Sequence, residues 1–371
     1  MRAAGMMTSR AMGLSLHVTG MVTSAVVIRN HFHLIMQTSP ARGRRATLLL
    51  ACLALLAVVS VLSLALGAKP IPLATVWNSL LGRAAGPDSV VVLQGRLPRT
   101  LLGLLAGAAL GLSGALIQAL TRNPLADPGI LGVNAGASFA MVLGVAFLAV
   151  DSQGGYMACA AAGALCATLL VYAVGARGRR ADPLRIVLAG VAVGAVLMGL
   201  SAAITLLDPI AFNRLRYWSA GTLDVRDMAA VGLAAPAILA GGVLALLLAR
   251  PLNAMGLGND LALSLGGRPL LIQGGTVAAV TLLSGASTAV AGPIGFVGLM
   301  IPHVARRLGG ADLRWSLPFT VLLAPILLLA SDIAGRLLTP GELRVSIVTA
   351  FIGAPALIWL ARSHGGAGGK P

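Results

Sequence analysis

Apolar runs of about twenty residues alternate with short polar breaks along most of this chain. About 20 apolar residues are needed for a helix to cross a bilayer. Ten runs meet or approach that length: 46–67, 97–120, 129–150, 154–176, 185–207, 228–249, 270–291, 295–308, 317–335 and 344–361. The pattern predicts an all-α, polytopic membrane protein of about ten transmembrane helices. The eighth run is short and ends at His303, Arg306 and Arg307, so a tilted or broken helix is expected there.

Composition agrees with the pattern. The chain has 371 residues, of which 57% are hydrophobic and 10% charged, with mean hydropathy +0.92. Soluble domains carry about 25% charged residues. The net charge of +16 does not mark a nucleic-acid partner, because aromatics are only 4% and the arginines sit in short clusters between apolar runs. Residues 1–45 read as a basic extension, disordered or an over-long start with Met36 as the alternative first residue. Residues 46–362 form the membrane domain, and 363–371 a short tail.

The positive-inside bias sets orientation. With both termini in the cytoplasm, the inner segments hold 18 Lys and Arg and the outer segments 9. The outer nine still need a reason. Arg96 and Arg99 are the sharpest case: they flank Pro98 at the outer start of a span, where positive charge also opposes the helix dipole. An acidic partner is expected for them, with lipid phosphate as the competing explanation.

Catalytic signatures are missing. The sequence has no GxxxxGK[ST], HExxH or GxSxG, and no cluster of His and carboxylates within a span. Cys52, Cys159 and Cys166 sit in apolar runs without a CxxC, as small core residues do. No metal site is expected, since His303 has no evident second ligand. An intramembrane enzyme lacks its nucleophile and base, and a proton-driven carrier lacks an ionisable group at mid-membrane.

Four stretches carry more information. In RLPRTLLGLLAGAALGLSGALIQAL, Gly103, Gly107, Gly111 and Gly114 share one helix face that Gln118 continues. Such a face is a close-packing surface, with a small-residue wall along a solute conduit as the alternative. TRNPLADPGILGVNAGASFA breaks the oily pattern with a turn. Asp127 caps the next helix and Pro128 takes its first position. In LNAMGLGNDLALSLG, LALSL predicts a short amphipathic helix on the cytoplasmic side, started by Asn259 or Asp260. AGPIGFVGLMIPH alternates Gly and Pro and predicts an interrupted helix whose backbone needs protein partners.

Taken in order, RLPRT, TRNPLADPGILGVNAGAS, LNAMGLGNDLALSLG, GPIGFVGLMIPH and PGELRVSIVTAFIGAPALIWL resemble the permease subunits of bacterial iron-siderophore and cobalamin ABC importers, the FecCD/BtuC family. The match covers roughly residues 46–362. The resemblance implies a BtuC-like (type II importer) permease in the bacterial inner membrane, with no catalytic residue and no bound cofactor of its own. It implies a second permease subunit of the same family, as a heterodimer or a homodimer. It also implies two cytoplasmic ATPase subunits that hold ATP and Mg, and a periplasmic siderophore-binding protein. By the same resemblance, Arg96, Arg99 and Arg336 dock acidic residues of that binding protein. Asn123 and Leu125, with Pro183 and Leu184, form the cytoplasmic gate. Leu257, Gly258, Asp260, Ala262, Leu265 and Gly266 form the segment that couples to the ATPase. Glu342-Leu343-Arg344-Val345-Ser346 departs from the ELPxG of most members. With GADLRWSLP, it looks like the D-type permease subunits of ferric enterobactin importers, which implies a catecholate chelate as substrate. Arg214, Arg216 and Arg344 would raise the local concentration of such a polyanion.

Overall fold

The computed structural model describes residues 42–67, 69–175, 183–225, 227–258, 263–264, 267–339 and 341–365. Described residues form twelve helices, and no strand occurs among them. In chain order these are α1 (Arg42–Ala65), α2 (Leu73–Leu80), α3 (Pro87–Thr121), α4 (Val133–Leu148), α5 (Gln153–Gly175) and α6 (Pro183–Leu207). There follow α7 (Pro209–Ser219), α8 (Met228–Gly256), α9 (Pro269–Ala291), α10 (Val297–Gly309), α11 (Leu313–Leu338) and α12 (Val345–Gly365). Most of the basic extension and the tail lie outside the described residues.

Seven helices are long and apolar enough to cross a membrane: α1, α3, α5, α6, α8, α9 and α11. The shorter apolar helices α4 and α12 match the third and tenth runs of the sequence. Helix α10 has 13 residues and cannot span alone. Helix α7, absent from the hydropathy reading, follows α6 after a single residue, Asp208. The Asp208 carboxylate accepts from the N–H groups of Ile210 and Ala211, and Pro209 takes the first helical position.

Helix α3 is the axis of the bundle. Its most apolar stretch is 78% buried, against 17% for α6. It packs against α8, α9, α10 and α11. The glycine face is the reason. Gly103 faces Leu329, Gly107 the backbone of Pro325, and Gly111 faces Ala324 and Thr320, all on α11. Gly114 faces the backbone of Gly298 on α10; a Cβ there would lie 2.0 Å from the Gly298 oxygen. These four glycines therefore form a packing seam filled by α10 and α11. A solute conduit along this face has no room.

The run AGPIGFVGLMIPH breaks between α9 and α10. Phe296 adopts φ 69°, and Val297 starts α10. Inside α10, Pro302 has no N–H to give the Gly298 carbonyl; the Gln118 amide on the seam donates to that carbonyl and to the Leu299 carbonyl at 3.1 and 3.2 Å. In an apolar medium an unmet carbonyl is costly, so Gln118 and Pro302 are a matched pair.

Candidate functional site: a buried ion cluster and two helix-end cavities

At one end of the bundle, α3 does not begin at Leu97 as the apolar run implied. It starts at Pro87 and passes through one wide π turn, Val91–Arg96. That extra turn places Arg96 and Arg99 inside the bundle, at 6% and 8% exposure. Arg336, on the last turn of α11, is also buried.

Asp332 is the hub and is 1% exposed. Arg99 donates to it through Nε and Nη2, the latter at 2.8 Å. Arg336 Nη2 lies 3.0 Å from its other oxygen, one helical turn away. Arg99 Nη1 also reaches Glu342 Oε2 at 2.8 Å and Asp224 Oδ1 at 3.7 Å. Arg336 ties the cluster to α1 by donating to the carbonyls of Ser63 and Leu66 and to the Ser63 hydroxyl. Arg96 donates to the carbonyls of Leu64, Ala65 and Lys69. Three guanidinium groups thus join α1, α3, α11 and the loops at Asp224 and Glu342.

The acidic partner expected for Arg96 and Arg99 is supplied, for Arg99, by the same chain. None of Arg96, Arg99 and Arg336 stands as a free cation on the surface. As partners of Arg99, Asp332, Asp224 and Glu342 escaped the sequence reading. The Asp332–Arg336 pair was legible as i, i+4 neighbours, but Arg99 and Asp332 are 233 residues apart. The cluster opens onto a cavity of about 490 Å³ lined by Lys69, Gln94, Arg96, Arg99, Asp224 and Glu342.

The opposite end carries the turn TRNPLADPGILG. Arg122 closes α3 in the left-handed region at φ 52°. Asn123 Oδ1 accepts from the Leu125 N–H at 2.9 Å, an Asx turn. Leu125 is half exposed. Asp127 does act as a cap, but it caps a single 3-10 turn, Pro128–Leu131, and α4 waits until Val133. Burial raises the Asp127 pKa above the usual carboxylate range, partly offset by the Gly129 N–H. The turn is wedged against α6: a Cβ on Gly190 would lie 1.8 Å from the Ile130 oxygen. Asn123 and Leu125 therefore sit on a turn held by the helix that Pro183 and Leu184 begin. Leu184 is exposed.

Beside this turn, the ends of α3, α8, α10 and α11 enclose a cavity of about 610 Å³. Gln118, Arg122, Leu257, His303, Arg306 and Arg307 line part of it. Arg306 Nη2 donates to Gln118 Oε1 at 2.8 Å and contacts His303 Nδ1 at 3.1 Å. Leu257 is strongly exposed, and Gly258 has φ 128°. Asp260, Ala262, Leu265 and Gly266 lie outside the described residues, as does most of the predicted amphipathic helix. No group of three or more His, Cys, Asp or Glu able to hold a metal occurs among the described residues.

The described residues thus form an all-α membrane bundle with a broken α9–α10 run, a glycine seam on its central helix and charge buried at one end. The chain belongs to the FecCD transport family, which matches residues 55–363. It is 53% identical over 318 residues to the ferric enterobactin transport system permease protein FepD of Escherichia coli K12, covering 85% of this chain and 95% of that one. It is 36% identical to the vitamin B12 import system permease protein BtuC of Vibrio cholerae, across 90% and 98% of the two chains. Among solved structures, an inward-facing metal-chelate type ABC transporter superposes with a TM-score of 0.75 at 27% identity. That match covers 86% of this chain and 99% of the other. The protein is a multi-pass transport permease of an ABC importer and not an enzyme.

Proposed function

We propose that this permease moves a catecholate iron chelate, ferric enterobactin, from periplasm to cytoplasm across the bacterial inner membrane. The observation that carries the reading is the 53% identity to FepD along nearly the whole length of both chains. Other relatives are named for hydroxamate, citrate and vitamin B12 import, at 36–39% identity. Both termini lie in the cytoplasm in this reading, which puts the ion cluster at the periplasmic end and the Arg306 cavity at the cytoplasmic end.

The working unit pairs this chain with a second FecCD-type permease, most simply as a heterodimer. Two ATPase subunits bearing ATP and Mg sit below, and a periplasmic binding protein delivers the chelate above. ATP-driven movement enters through the coupling segment that begins at Leu257, beside the Arg306 cavity, and shifts the Asn123–Leu125 turn against α6. Docking of the binding protein takes place over the cavity above Arg96 and Arg99, where an incoming carboxylate competes with the half-exposed Glu342 for Arg99.

The test is uptake of radio-iron in cells lacking the chain. Ferric enterobactin uptake should fall by about tenfold or more, while uptake of a ferric hydroxamate stays normal. Loss of hydroxamate uptake alone would overturn the substrate reading. Pull-down of the tagged chain should also recover an ATPase subunit. Ser264→Pro should abolish uptake while leaving that subunit bound, because proline within the predicted coupling helix removes a backbone hydrogen bond and breaks it. Normal uptake would remove that helix from the coupling path.

A further inference from the structure

The charge at the periplasmic end divides into two unlike groups. Arg99 and Arg336 are buried and matched by carboxylates. Arg214 and Arg216 are exposed on α7, and Arg344 is half exposed just before α12. Among the described residues, no carboxylate lies within ion-pair distance of these three.

Aromatic rings stand where carboxylates would. The Arg216 guanidinium lies 5.1 Å from the centre of the Tyr217 ring, and that of Arg344 lies 5.4 Å from the same ring. Arg214 lies 5.8 Å from the Tyr156 ring. Tyr217 is 57% exposed. The Tyr156 hydroxyl and the Trp218 indole N–H are buried without hydrogen-bond partners. Aromatic residues make up only 4% of the chain, so their gathering around three arginines is a local exception.

The placement is fixed by the fold. Arg344 Nη1 donates to the Tyr217 carbonyl, and Ser346 Oγ to the Ala220 carbonyl, so the start of α12 is stitched to the end of α7. Glu342, two residues before Arg344, is already held by Arg99, which leaves Arg344 free of its nearest acid in sequence. The left-handed conformation of Glu342, φ 49°, turns the chain between the two groups.

The geometry points to a receiving site for an anionic, aromatic chelate on Arg216, Tyr217 and Arg344, with Arg214 at its edge. Guanidinium planes stack on aromatic faces and pair with oxyanions in one geometry. A tricatecholate iron complex offers both: flat rings and a net negative charge on the phenolate oxygens. An exposed cation with no internal acid also gains most when an anion arrives, because no existing ion pair must break. The inference rests on the catecholate reading above and adds the residues that meet the chelate as it leaves the binding protein.

The assembled importer, reconstituted in lipid nanodiscs, provides the test. The probe is radio-iron-labelled ferric enterobactin, with binding protein omitted for the binding measurement and added for the ATPase measurement. In the R216A/R344A variant, binding should weaken by about tenfold. Tyr217→Ala should weaken it as well, and Tyr217→Phe should leave it unchanged, since the ring and not the hydroxyl makes the contact. The binding-protein concentration for half-maximal ATPase stimulation should stay at the wild-type value in every variant. Unchanged chelate binding in R216A/R344A would overturn the site. A shift in half-maximal stimulation with unchanged chelate binding would assign this surface to binding-protein docking instead. Wild-type complex that fails to bind or transport ferric enterobactin would instead reject the substrate reading itself.

Discussion

Asp332→Ala should strip the membrane of folded permease. The carboxylate is 1% exposed and faces two buried guanidinium groups, Arg99 at 2.8 Å and Arg336 at 3.0 Å. Removing one partner of a buried ion pair leaves charge that neither water nor protein compensates, at a cost of about 3–5 kcal/mol. Here the deletion strands Arg336, which among the described residues pairs with Asp332 alone, and leaves Arg99 only Glu342 and Asp224 at the exposed edge of the cluster. Glu342→Ala removes a partner of the same Arg99, but the Glu342 side chain is 37% exposed. Water can replace it, and the expected loss is about 1 kcal/mol or less. Thermal melting of the purified permease in detergent should rank Asp332→Ala far below Glu342→Ala, and Glu342→Ala just below wild type. Equal melting of the two variants would show that the cluster does not hold this end together.

Gly114→Ala should be as damaging as many larger core changes, although it adds one carbon. The new Cβ would sit 2.0 Å from the Gly298 oxygen, and backbone on both sides prevents easy relief. Helices α3 and α10 must separate, and Gln118 then loses its bonds to the Gly298 and Leu299 carbonyls. Overpacking costs about 1–3 kcal/mol, and the orphaned Gly298 carbonyl adds about 1–3 kcal/mol. Gly232→Ala on α8 is the control, since nothing lies within 4 Å of its new Cβ. Alanine is the better helix former by about 1 kcal/mol, so Gly232→Ala should express and transport as well as wild type. Normal assembly of Gly114→Ala, read by recovery of the ATPase subunit with the tagged chain, would contradict the seam.

These two sites mark the boundary of what the chain reveals before folding. The spacing of Gly103, Gly107, Gly111 and Gly114 is a local property of one helix, so the close-packing face was legible. The residues that fill that face were not. Pro325 and Ala324 lie more than 200 positions away, and an apolar helix gives no sign of which neighbour it meets. Hydropathy located the spans because bilayer thickness is a one-dimensional constraint. It misplaced the start of α3, because Gln94 and Arg96 interrupt the apolar run at the π turn Val91–Arg96, and Arg96 is buried by tertiary contacts rather than by lipid.

Local features of the chain were enough to specify an all-α membrane permease, its ordered family motifs, the Asn123 turn and the excess of positive charge. Spacing, capping chemistry and the length of an apolar helix account for the membrane helices and the turn, and the family resemblance accounts for the permease. Which arginines are neutralised is a property of the packed helices. Arg99 and Arg336 stood out in sequence as outer arginines in want of an acidic partner, but only the fold shows that they share Asp332 inside the bundle. Arg216 and Arg344 look no different, yet they flank one exposed tyrosine ring. Charge on a chain is additive, but its effect depends on distance and burial, and only the tertiary fold sets those.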